Sequence, residues 1–151
     1  MLEMQAVIGR IQLRCLAEWS ERRAAIAARY AAMLAPFAHA VRVPLPGRDM
    51  THAWYRFYGY VRPEGLKPGW DRDRIVAEVT AQGVPLFHGT CSEVYREKAF
   101  DGTGLAPPQR LPVAMELGET SLMFLTHPTL SDDDLARISG AVTRVLEQAA
   151  R

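Results

Sequence analysis

Several things are scarce in this sequence, and each scarcity excludes something. Cysteine occurs twice, as Cys15 in a helical pattern and Cys91 in a loop. That usage implies no disulfide and fits a reducing cytoplasm. Lysine also occurs twice, at Lys67 and Lys98; the other basic side chains are arginines. Lysine chemistry is thereby confined to two positions. Neither sign of charge is in excess, since 18 basic against 17 acidic residues leave a formal +1. Such a chain has no general attraction for nucleic acid or an anionic membrane. No apolar run approaches the length of a membrane span. The opening MLEMQAVIGRIQLR lacks the apolar core and cleavage site of a signal peptide. There is no GxGxxG, P-loop, HExxH or serine nucleophile elbow, no internal repeat and no low-complexity segment.

What is present suits a single globular domain spanning 1–151, with 48% hydrophobic residues. Residues 1–34 read as one packing helix. Met1, Met4, Ile8, Ile11, Cys15, Trp19, Ile26, Tyr30 and Met33 recur mostly three or four apart, and Pro36 ends the run. A second set, including Leu2, Val7, Leu13 and Leu16, makes the first half apolar on more than one side. Such a helix expects neighbours on more than one side, so a packing partner is absent or comes from another chain.

Residues 35–151 read as a small α+β unit. VRVPLPGRD, 41–49, is an edge segment and a turn. HAWYRFYGYVRP, 52–63, is a strand with aromatics on both faces, so both faces are at least partly covered. A short helix follows over 72–82, with Asp71 as N-cap, Trp70 and Ile75 as a hydrophobic staple and Gly83 as its stop. VPLFH, 84–88, is a short strand, and a long aperiodic segment runs on to Arg110. LPVAMELGE is a helix ending near Gly118. SLMFL, 121–125, is continuously apolar and therefore central. Ser131, with Asp134 three residues on, caps a final helix whose stripe is Leu135, Ile138, Val142, Val145 and Ala149, and Leu130 staples to Leu135. The order predicts a small, mostly antiparallel sheet packed by helices.

One dense cluster of chemistry stands out: His88, Cys91, Glu93, Tyr95, Glu97 and Lys98. It reads as a pocket wall offering donors and acceptors to a polar ligand. Its plainer reading is a solvated loop with a capped turn. A zinc site from His88, Cys91, Glu93 and His127 has suitable donors but no paired ligand spacing. A Cys91/His88 nucleophilic pair lacks a third, orienting residue. His127, just past a buried strand, lines a site or else bonds local backbone and turns the chain. The aromatics of 54–60 read as core rather than a stacking platform for nucleic acid. Lys98, among Arg96, Glu97 and Ala99, reads as a surface salt-bridging lysine rather than a Schiff-base lysine.

The order of the segments adds what the chemistry lacks. MLEMQAVIGRIQL, EWSERRAAIAARYAAML, HAWYRFYGYVRP, GWDRDRIVAEVTAQGVPLFHGTCSEVYREKAF, LPVAMELGETSLMFLTHPTL and the final helix resemble, in sequence, the DegT/DnrJ/StrS sugar aminotransferases. The resemblance covers essentially the whole chain. It implies the small domain of a fold-type I aminotransferase, normally dimeric, that uses pyridoxal phosphate. It further implies a nucleotide-linked keto sugar as substrate, an amino-acid donor, and a place in surface polysaccharide or glycoside synthesis. The family's first helix here usually follows an Asn-x-Arg-Met turn, and this sequence begins at that Met. The Schiff-base lysine, the acidic partner of the pyridinium nitrogen and the phosphate cup are then expected on a larger domain outside these residues. Neither Lys67 nor Lys98 matches the family's lysine motif, so no cofactor is expected on this chain alone. Phe87–Phe100 matches the family's loop that closes over the substrate, which makes His88, Cys91, Glu93 and Tyr95 candidate contacts. His127 matches a position near the active-site entrance. The alternative is a non-catalytic nucleotide-sugar-binding or dimerisation module, in which the first helix would be covered.

Overall fold

The continuous run SLMFL takes the place that both-sided burial dictates, inside the sheet rather than at its edge. A computed structural model describes residues 2–151. Among these the helices are α1 (Glu3–Leu34), α2 (Arg72–Ala81), α3 (Pro112–Thr120) and α4 (Asp132–Ala149). The strands are β1 (Val41–Arg42), β2 (Arg56–Val61), β3 (Phe87–His88) and β4 (Ser121–Leu125). They form one antiparallel sheet in the order β1-β2-β4-β3. The α+β class and the central position of 121–125 are as the sequence predicts.

Register separates two faces. Phe57 opposes Phe124 and Gly59 opposes Leu122 on the buried face. Tyr58 opposes Met123 and Tyr60 opposes Ser121 on the other. The buried face meets Tyr30, whose ring lies 5.6 Å from Phe57 and 5.3 Å from Phe124. Burial of each such phenylalanine stabilises the fold by about 1.5–3 kcal/mol. Tyr30 also donates its hydroxyl to the Leu125 carbonyl at 3.0 Å. Burial pushes its phenol up to about 12, so it remains a donor at any ordinary pH.

The helix ends obey local chemistry. Asp71 accepts from the Arg74 amide at 2.8 Å, and Gly83 turns the chain at φ +75° after α2. Ser131 accepts from the Asp134 amide at 3.1 Å, while Asp134 accepts from the Ser131 amide at 3.1 Å. The predicted stripe of α4 is wholly buried. Arg22 of α1 reaches the Leu130 carbonyl at 2.8 Å and Asp132 at 3.1 Å, tying α1 to the start of α4.

Three boundaries differ from the sequence reading. The strand over 52–63 shrinks to Arg56–Val61, because Trp54 takes a left-handed φ of +48° that a strand cannot continue through. The strand over 84–88 shrinks to Phe87–His88, since Pro85 has no amide to give a ladder. α3 runs past Gly118 to Thr120 and straight into β4. The first half of α1 stands clear of the sheet, with Leu2, Met4, Val7, Ile8, Ile11 and Leu13 all more than half exposed. Met1, placed in the same stripe by the sequence, lies outside the described residues. No helix among the described residues is long and apolar enough to cross a membrane.

Candidate functional site

The site grows from the Ser121 end of β4. Arg72, at the start of α2, donates to the Ser121 carbonyl at 3.1 Å and to Asp73 at 2.6 Å. His88 Nε2 lies 3.4 Å from the same Asp73 carboxylate. Ser121 Oγ accepts from the Gly89 amide at 3.0 Å. The chain can approach β4 this closely only because residue 89 has no Cβ; one built there would sit 2.7 Å from Ser121 Cβ. Gly118 plays the same part in α3, where a Cβ would lie 2.6 Å from Ser92 Oγ.

From this anchor the long segment becomes a built loop. Two 3-10 turns, Val94–Arg96 and Lys98–Phe100, give it local hydrogen bonds. Its lock is Glu93, whose side chain is 14% exposed. Arg110 grips both carboxylate oxygens, at 2.8 and 2.6 Å, in the forked geometry that suits guanidinium and carboxylate. The Tyr95 hydroxyl donates to Glu93 at 2.6 Å and accepts from the Leu111 amide at 2.9 Å. Leu111 is the N-cap position of α3 and has no side-chain cap of its own, so the clasp also seals that helix end. Arg110 first, then Tyr95, holds the Glu93 carboxyl down at about 2. Burial and Glu93 together push the Tyr95 phenol up.

Cys91 behaves differently. Its thiol donates to Glu97 at 3.3 Å. That bond, with the charge behind it, pushes the thiol up rather than toward thiolate. An exposed cysteine with that bias is not an activated nucleophile, and His88 is directed to Asp73 instead. Among the described residues no three His, Cys, Asp or Glu side chains converge on a metal position.

His127 sits at the opposite end of β4. Its Nδ1 lies 2.7 Å from Thr129 Oγ1 and accepts from the Thr129 amide at 3.4 Å. Its carbonyl accepts from the Leu130 amide at 3.1 Å, so here the residue turns the chain. Beside it the fully buried Thr126 donates to the Trp54 carbonyl at 2.5 Å, pinning the left-handed Trp54. The structure therefore gathers His88, Cys91, Glu93 and Tyr95 along one loop and leaves His127 apart.

Three parts of this end escape the sequence reading. Arg110 stands 17 residues from Glu93, and no periodicity links them. Asp73 looks like an ordinary first-turn acid of α2. Tyr58 and Tyr60 read as core, yet they wall a cavity of about 430 Å³ between the sheet, Gly89–Ser92 and α3. The only available signal was the spacing of those tyrosines, two apart on the face opposite Phe57.

Lys67 donates to the Glu147 and Gln148 carbonyls at 3.2 and 2.9 Å, capping the C-terminus of α4. Lys98 is exposed on the second 3-10 turn.

Comparison with known proteins fits this architecture. A family model described as the DegT/DnrJ/EryC1/StrS aminotransferase family matches residues 1–143. A curated Streptomyces venezuelae protein, dTDP-3-amino-3,4,6-trideoxy-alpha-D-glucose transaminase, is 30% identical over 147 residues. That match takes in 97% of this chain and 36% of the relative. The X-ray structure of an aminotransferase from Psychrobacter cryohalolentis superposes with a TM-score of 0.93 at 46% identity. It takes in 97% of this chain and 39% of that one. S. venezuelae DesV, solved in complex with a ketimine intermediate, superposes at 0.80 with 28% identity over 94% of this chain and 36% of its own. The chain thus spans 36–39% of the length of these relatives.

Proposed function

Because this chain belongs to the DegT/DnrJ/EryC1/StrS aminotransferase family, we propose that it is the small domain of a pyridoxal-phosphate enzyme that aminates a nucleotide-linked keto sugar. It works beside a larger, cofactor-binding domain or subunit and brings a substrate-closing loop to it. The observation that carries this reading is the bare first half of α1, in a chain that matches 39% of its Psychrobacter relative. A contiguous apolar helix surface of this kind marks a contact. A self-sufficient module would have covered it.

The substrate class rests on the relatives. One is named for a dTDP-linked amino sugar, and DesV was solved with a ketimine, the kind of adduct an amino-transfer cofactor forms. We infer that the cofactor is held by the partner domain rather than by this chain. It must be held as an imine on a lysine whose amine is free. Lys67 is committed to α4 carbonyls, and Lys98 stands exposed beside Arg96 and Glu97, its amine free but unenclosed. Within the loop, His88 and Cys91 are the exposed contact candidates, whereas Glu93 and Tyr95 act by fixing its shape. His127 serves the entrance from the other end of β4.

The test is a chimera in which these residues replace the matching segment of the Psychrobacter enzyme. It should retain cofactor and transaminate. The chain alone, mixed with pyridoxal phosphate and reduced with borohydride, should carry no stoichiometric lysine adduct. A stoichiometric adduct at Lys98, or a folded chimera in which the first half of α1 stays fully solvent-exposed, overturns the reading.

A further inference from the structure

The bare half of α1 carries two apolar seams rather than one. Met4, Ile8, Ile11 and Cys15 recur four and three apart, and so do Leu2, Ala6, Gly9, Leu13 and Leu16. That spacing is the seam of a helix pair. At about 100° per residue the two seams point about 150° apart, so one neighbouring helix cannot cover both. The first seam runs on to Trp19, which shares a hollow with Pro128 and Thr129, next to His127 in the chain. That is the end where the partner domain of the proposed function would lie.

The second seam has a different character. Its ends are the exposed Leu2 and Leu13, and its middle is small, with Ala6 and Gly9. Gly9 lies inside the helix, where glycine is less stable than alanine. A Cβ built there would meet nothing within 4 Å, so the chain's own packing does not require the glycine. Close approach of another helix does. Glu3 and Arg10, a helical repeat of seven apart, flank this seam on one side. Neither makes an ion pair among the described residues.

We propose that the second seam binds a second copy of this chain, antiparallel, with Leu2 over Leu13 and Ala6 over Gly9. Two-fold symmetry makes each of these contacts occur twice. In this register Glu3 of each chain faces Arg10 of the other, so the flank is its own charge complement. That self-complementarity selects a copy of the chain over an unrelated partner. A parallel pair sets Gly9 beside Gly9 and gives Glu3 and Arg10 no opposite charge to face. From Leu2 to Leu13 the seam is about 17 Å long, so the pair is small and reversible. The pairing goes beyond the partner-domain reading, because the first seam points away from it.

Sedimentation equilibrium of the 151-residue chain, at concentrations from about 10 μM to 1 mM, tests the pairing. A monomer–dimer equilibrium is expected, with a dissociation constant on the order of 100 μM. Arg10→Glu turns both attractive pairs repulsive and should weaken the dimer about tenfold. Glu3→Arg should do the same. The double exchange, Glu3→Arg with Arg10→Glu, should restore the wild-type constant. Both positions are exposed, so circular dichroism should be common to all four chains. A chain monomeric at about 1 mM, a dimer indifferent to Arg10→Glu, association that runs on past the dimer, or a folded double exchange as weak as the single variants each overturn the proposal. The chimera reads the partner domain separately, so either reading can fail alone.

Discussion

Gly89→Ala puts the loop's anchor to a quantitative test. The new Cβ would lie 2.7 Å from Ser121 Cβ and closer still to its Oγ. Rotating the serine moves Oγ but not Cβ, which the backbone of β4 holds. Ser121 is 5% exposed and paired with Tyr60, so it has nowhere to go. The loop must lift. Lifting gives up the Gly89 N–H bond to Ser121 Oγ and strains the His88–Leu122 pairing beside it. Overpacking costs about 1–3 kcal/mol and the lost bond about 0.5–1.5 kcal/mol, so about 1.5–4.5 kcal/mol in all. Borne by the whole fold, each kcal/mol would lower Tm by about 2–4 °C at this chain length. But β3 is two residues long, and exposed residues fill most of the loop. The loop should therefore yield before the core does. Opening should become at least about tenfold more frequent, since tenfold corresponds to about 1.4 kcal/mol. The assay is amide exchange at His88 and Gly89, with limited proteolysis within 89–110 and a thermal melt. Gly83→Ala is the control: its φ of +75° strains an alanine, but its Cβ meets nothing. It should lower Tm modestly and leave loop exchange alone. If Gly89→Ala changes neither exchange nor Tm, the close approach to β4 is not what holds the loop.

Glu93 makes that loop acid-sensitive. Its carboxyl is lowered from an ordinary 4.5 to about 2, so the clasp is fully present above 4.5 and lost as pH falls toward 2. Peptic cleavage within 89–110 should accelerate across that window, and Glu93→Gln should flatten the dependence. Tyr30→Phe leaves the Leu125 carbonyl without its donor and should cost about 1–2 kcal/mol in urea unfolding; an unchanged midpoint would mean the bond contributes nothing. Thr126→Val removes the donor that pins Trp54 at φ +48°. It should cost about 1–3 kcal/mol and shift tryptophan fluorescence; an unmoved spectrum would show that Thr126 does not hold that turn.

The sequence made the helices legible because their signals are local. Asp71, Gly83 and the Ser131–Asp134 pair each act within a few residues, and each cap stands as read. The periodicity of α4 exceeds any competing pattern, and every residue of its stripe is buried. Strand ends were harder. Trp54 turns left-handed where its amide donates to His52 Nδ1 at 2.9 Å and its carbonyl accepts from a threonine 72 residues away, and no periodicity in HAWYRF signals that pair of bonds. The clasp was half visible. Glu93 and Tyr95 stood out as a chemical cluster, but their purpose depends on Arg110, which only the fold brings back. The bare face of α1 could be read in advance, because too many apolar sides need too many neighbours whatever the fold turns out to be.

The two uncovered surfaces have different physical origins. α1 is bare because its first half runs beyond the sheet and the start of α4, which meets α1 at Arg22. The tyrosine face is open because α3, nine residues long, is the helix that shares the cavity with it, while α1, α2 and α4 crowd the Phe57–Phe124 side. The bare half of α1 carries Leu2, Met4, Val7, Ile8, Ile11 and Leu13 among exposed charged and amide side chains. A surface left open by a short helix keeps a shaped hollow, with Thr90 and Ser92 among its lining residues. The clasp lies beside the hollow: it fixes Arg110 to Glu93 and Tyr95 to the Leu111 amide at the start of α3. The bare half of α1 and the hollow behind the loop lie on separate parts of one domain, so the stability effects of substitutions in the two should add.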